Sequence, residues 1–125
     1  MSENHELLAQ AWKVYTEECI KFGIESPEAE LLSWAFDKIH DLAFHKPHDA
    51  LDVIVEITKI TEEERVLANL AAGPLETLLV HHGKDVIDRV IELAKNDPRF
   101  SDLLLGVWKA SIDEGVMERI EALYV

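Results

Sequence analysis

The chain has 125 residues, 48% of them apolar and 30% charged, the balance of a soluble globular protein long enough for one domain with an ordinary core. Its 25 Asp and Glu against 12 Lys and Arg leave a net charge of -13, which repels nucleic-acid backbones and anionic membranes and favours encounter with basic partners. No apolar run approaches a bilayer span, the opening "MSENHELLAQ" carries no secretory pattern, and the single Cys19 has no internal disulfide partner, so the expected compartment is the cytoplasm.

The 3.6-residue period appears first in Leu7, Leu8, Ala11, Trp12, Tyr15, Cys19 and Phe22, which predicts a helix stopped by Gly23. Ser26 as N-cap, Pro27 at the first helical position and Glu28 in the first turn open a second helix. Its apolar stripe is Leu31, Leu32, Ala35, Phe36, Ile39, Leu42 and Ala43. The next segment, "HDALDVIVEITKI", is rich in β-branched residues and suits strand as well as helix. A repeat decides for helix. Shifted by 36 residues, Asp49, Asp52, Ile54, Val55, Glu56 and Ile57 fall on Asp85, Asp88, Val90, Ile91, Glu92 and Leu93, and Leu42 and His45 fall on Leu78 and His81.

Between the copies, Thr61 and Glu64 have the spacing of a capping box, predicting a helix with Val66, Leu67, Leu70 and Ala71 inward. In "LANLAAGPLETLLVHHG", Gly73 reads as a helix stop and Pro74 as the start of a short helix. That helix is expected to bury Leu75, Leu78 and Leu79 and to end at Gly83. Asp97 and Pro98 open another helix carrying Phe100, Leu103, Leu104, Val107, Trp108 and Ile112, and Val116, Ile120, Leu123 and Tyr124 mark a last short one. The expectation is one all-α domain over 1–125, with seven or eight helices in a short HEAT-like or irregular solenoid, or an orthogonal stack. Hairpin repeats are placed near 28–60 and 64–96 and closing helices over 98–124.

The C-terminal half, through Ala71 to Glu76, His82-Gly83, Asp97 to Phe100 and Leu104 to Trp108, resembles the bacterial family DUF6869. The resemblance implies no activity. Small acidic proteins of this kind are associated with toxin loci, so it raises the expectation of an immunity protein.

Chemistry-bearing patterns are few. The adjacent His81 and His82 point about 100° apart on a helix and cannot both grip one ion from one face, and His45 and His48 flank Lys46-Pro47 without forming an HExxH-type ligand set. If the repeats stack, His45 and His81 approach each other at equivalent helix ends. Cys19 sits on an apolar stripe and reads as core. Gly73-Pro74 lacks the donor that a phosphate loop needs. No metal, cofactor or catalytic set is therefore expected. Trp12 and Trp108 fall on buried stripes, whereas Trp34 stands one residue off its stripe and is a candidate interface anchor. Partner contacts are expected from Trp34, the acidic Glu62, Glu63 and Glu64, Glu76, which has no packing reason, and the adjacent His81 and His82.

The expected function is a non-enzymatic inhibitor that neutralises a basic toxin domain acting on nucleic acid, with no direct contact to nucleic acid or membrane. The alternative is a helical scaffold or adaptor without a toxin partner.

Overall fold

The computed structural model describes residues 3–125, so Met1 and Ser2 of the expected domain lie outside the described residues. It is all-helical: α1 (Glu3–Phe22), α2 (Pro27–His45), α3 (Pro47–Ile60), α4 (Glu64–Leu70), a π-helical turn (Ala71–Leu75), α5 (Glu76–Asn96), α6 (Pro98–Leu104), α7 (Glu114–Glu121) and a final 3-10 turn (Ala122–Tyr124). No helix among the described residues is long and apolar enough to cross a membrane.

The local punctuation works largely as expected. Gly23 takes φ 86° and its N–H closes on the Cys19 carbonyl at 3.0 Å, ending α1 in a left-handed cap. Ser26 Oγ accepts from the Ala29 N–H at 3.2 Å, with Pro27 behind it. Asp97 caps α6 by accepting from Arg99 and Phe100. The ambiguous "HDALDVIVEITKI" is helical, and α3 buries Ala50, Leu51, Val53, Ile54, Val55 and Ile57.

The repeat has a structural counterpart. Pro47–Ile60, moved by 36 residues, becomes 83–96, and the break at Lys46 (φ -137°, ψ 72°) becomes the kink at His82 (φ -135°, ψ 24°). α1 packs on α2 and α3, which pack on α5, which carries α6 and α7. Asp52 and Asp88, equivalent in the two copies, each reach an arginine of the following layer: Asp52 pairs with Arg89, and Asp88 takes Arg119 at 2.6 Å.

Four expectations are corrected. The capping box at Thr61 and Glu64 does not form: Thr61 Oγ accepts from the Glu63 N–H (3.2 Å), and the Glu63 carboxylate caps α4 at the Val66 N–H (2.9 Å). Gly73 and Pro74 do not separate two helices. The backbone stays right-handed from Leu70 to Glu76, and the Glu76 N–H reaches back five residues to the Ala71 carbonyl. Pro74 has no N–H to give and its ring would strike the preceding turn, so the helix widens to pass it. Gly73, lacking a Cβ, is the residue that tolerates helical backbone before a proline.

Gly83 is likewise no left-handed stop, since the break falls at His82. A Cβ at Gly83 would stand 3.2 Å and 3.3 Å from the two Cγ atoms of Val116, so this glycine serves the close approach of α7. Finally, several stripe residues lie outside. Leu7 is 62% exposed, Phe22 70%, Leu31 77% and Trp108 71%. Each outer helix has neighbours on part of its circumference only, so the apolar flank beyond them stays in water. For Trp108 the helix has already ended at Leu104, and Glu76 Oε1 takes the Trp108 N–H at 3.0 Å to hold the loop.

Candidate functional site

The residues of the acidic run around 62–64 gain neighbours from far along the chain. α3 ends at Ile60, α4 starts at Glu64, and α6 crosses beside them because Asp97 and Pro98 turn the chain sharply after α5. Between these three helices and the π turn lies a cleft of about 420 Å³ lined by Glu62, Glu64, Leu67, Ala68, Ala71, Arg99, Asp102 and Leu103, among others. Its floor is apolar, with Ala71 and Leu103 buried and Leu67 partly so. Its rim holds three exposed carboxylates, Glu62, Glu64 and Asp102. The one cation of the lining is committed: Arg99 donates to the Thr58 carbonyl at 3.2 Å and to Glu62 at 2.8 Å. The wall at Gly106 is drawn in tightly, since a Cβ there would lie 3.0 Å from the Ala71 Cβ.

An apolar floor beneath three carboxylates, of which Arg99 pairs only Glu62, suits a long basic side chain. The methylenes of such a side chain would lie on Leu67 and Leu103, with its charge among Glu64 and Asp102. Sequence reading singled out Glu62 and Glu64 but not Asp102, Arg99 or Leu103, which enter through a contact between α4 and α6 that no local pattern announces.

The other expected contact residues do not converge on this cleft. Glu63 is the α4 cap and Glu76 the tether of Trp108. Trp34, 46% exposed, lines a separate groove with Leu7, Lys38 and Lys46. His81 does not meet His45. It lies against the Phe44 ring at 4.4 Å between centroids, while His45 faces Asp41 at 3.7 Å on its own helix.

His82 belongs to the kink. Its Nε2 faces the Phe44 carbonyl at 2.6 Å, and its Nδ1 faces the Asp85 carboxylate at 3.1 Å. Both ring nitrogens thus have acceptors, which favours the imidazolium. The Phe44 carbonyl first, and Asp85 second, hold its pKa above the ordinary histidine value. The folded state therefore binds this proton more tightly than the unfolded one. The contribution to stability is complete below the unfolded pKa of about 6.5 and is lost as pH rises through the folded value. The denaturant midpoint of the wild type is expected to fall between about pH 6 and pH 8 relative to His82→Gln, whose curve lacks this component. Parallel curves for the two proteins would refute the assignment.

His5 approaches Asp49 at 3.3 Å and Asp52 at 3.9 Å, the one grouping of potential metal ligands among the described residues. Asp52 is already engaged by Arg89, which also donates to the His48 carbonyl at 3.1 Å. The cluster reads as an electrostatic clasp between α1, α3 and α5.

A family model described as "Family of unknown function (DUF6869)" matches residues 23–125, from the α1 stop through to the last residue. No curated protein and no solved structure matches the chain.

Proposed function

We propose that this chain, which belongs to the DUF6869 family, is a non-enzymatic binding module that captures a basic protein through its acid-rimmed cleft. The finer reading is that the partner is a toxin domain acting on nucleic acid, which the module neutralises by covering its basic surface. The observation that carries the proposal is the cleft itself: three carboxylates and one committed guanidinium over an apolar floor. The molecule around it bears a net charge of -13. That field speeds encounter with a positive surface, and a desolvated basic side chain on the floor provides the anchor. The cytoplasm is the compartment this reading requires, since a toxin is neutralised where its nucleic-acid target lies.

The test is to take a toxin domain found encoded directly upstream of the gene and co-express it with this chain, read out as growth rescue and co-purification; a gene standing without such a neighbour would remove the toxin reading. The variant with Glu62→Gln, Glu64→Gln and Asp102→Asn keeps shape while removing three charges. It is expected to slow association at least tenfold at low salt, with the difference shrinking towards about 1 M salt as the Debye length falls to about 3 Å. Equal association rates for the two proteins at low salt would sink the cleft as the contact. Binding without growth rescue would leave a scaffold rather than an inhibitor.

A further inference from the structure

On the other side of the π turn lies a second cleft of different character. Whereas Ala71 borders the acidic cleft, Ala72, Gly73 and Pro74 form one wall of this one, and α1 and α2 form the others. Its volume is about 470 Å³, within the range of small-molecule sites. Trp12, Tyr15, Phe36 and His40 bring four rings to it, with Tyr15 and Phe36 5.7 Å apart and Phe36 and His40 4.4 Å apart between centroids. Although the chain is strongly acidic, no Asp, Glu, Lys or Arg lines this cleft. Burial lowers the pKa of His40, outweighing the opposite pull of Asp37, so its imidazole is neutral near pH 7.

One side chain of the lining carries an unfinished polar group. Trp12 is 3% exposed, and its indole Nε1–H, a donor with no acceptor capacity, is buried without a partner among the described residues. Buried donors are almost always paired, and an unmade bond of this kind is costly. Interruptions of helices by π turns also recur at ligand sites. The four rings call for a flat apolar ligand, the uncharged lining excludes an ionic one, and the indole N–H calls for an acceptor.

We propose that this cleft binds an uncharged aromatic compound whose ring system carries a hydrogen-bond acceptor, with the ring against Phe36 and Tyr15 and the acceptor on the Trp12 N–H. The site is separate from the acidic cleft, so its test does not depend on the partner reading above.

The probe is quinoline, uncharged at pH 7.5, titrated into the full chain and followed by the three indole N–H signals in proton–nitrogen NMR spectra. Naphthalene, the same shape without the acceptor, is the comparison. Saturation is expected in the millimolar range or tighter, with the Trp12 signal moving and those of Trp34 and Trp108 still, and with naphthalene binding at least about tenfold more weakly. Ala72→Leu, which places a good helix former in the cleft, should abolish the titration while leaving the helical circular dichroism unchanged. Should that variant fold poorly, Phe36→Ala, which removes an exposed ring, is expected to weaken binding at least threefold. The proposal is overturned by the absence of saturation, by equal movement of all three indoles, by equal binding of naphthalene, or by wild-type affinity in the folded variants.

Discussion

Phe100→Ala is expected to remove about 3–5 kcal/mol of stability, roughly a fifth or more of what a domain of this size commands. Phe100 is fully buried in the first turn of α6, where it reaches the core shared with α3, α4 and α5. Truncation removes the transfer energy of the ring and leaves a cavity that helices anchored by the Asp97 cap cannot close. Phe22→Ala deletes the same atoms from a side chain that is 70% exposed, and should shift stability by no more than about 0.5 kcal/mol. Chemical denaturation of the two variants checks both, and a loss below about 1.5 kcal/mol for Phe100→Ala would mean that α6 is not packed as described.

Gly83→Leu should cost about 1–3 kcal/mol, even though leaving glycine inside a helix is worth up to about 1 kcal/mol. The first added carbon already stands 3.2 Å from a Val116 Cγ, and Val116 is itself 3% exposed, so it has nowhere to retreat. The cost arises from one pair of residues, and shortening the partner should relieve it. Adding Val116→Ala is expected to recover part of the loss, giving a coupling energy of at least about 0.5 kcal/mol in a double-mutant cycle. Strict additivity would assign the glycine to backbone conformation instead of to the α5–α7 contact.

What was legible in the sequence was whatever a rule of a few residues governs. Ser26-Pro27, Asp97-Pro98 and Gly23 mark helix ends because capping is completed within one turn. The spacing of 36 residues between Asp52 and Asp88 marked the repeat because both copies do the same job against the next layer. Periodicity named a face for α1 and α2 but not its width. Leu7, Leu31 and Phe22 are outside because width depends on how many helices arrive, which is a tertiary fact. Gly73-Pro74 misled for the same reason. In isolation the pair ends a helix, yet here the buried Leu70, Ala71, Pro74 and Leu75 hold the chain in line, and widening the turn costs less than exposing them. As for the sites, Glu62 and Glu64 showed as acidic sequence, while Asp102 and Arg99 joined them only through the fold. The aromatic cleft was invisible, because Trp12, Phe36 and Gly73 belong to three separate segments.

The recurrence of one helix–break–helix unit leaves each copy with an apolar face for the next layer to cover. A unit that offers its successor the same apolar face and the same aspartate can in principle be followed by another, so growth is limited by the terminating layer and not by the repeat. Here α7 covers the face of the second copy: Val116, Met117 and Ile120 are buried, while Glu114, Glu118 and Glu121 are exposed. A chain cut before Glu114 would present an open edge, and its natural remedy is the matching edge of a second molecule. Loss of the α7 cover is therefore a route from a closed face to end-to-end association.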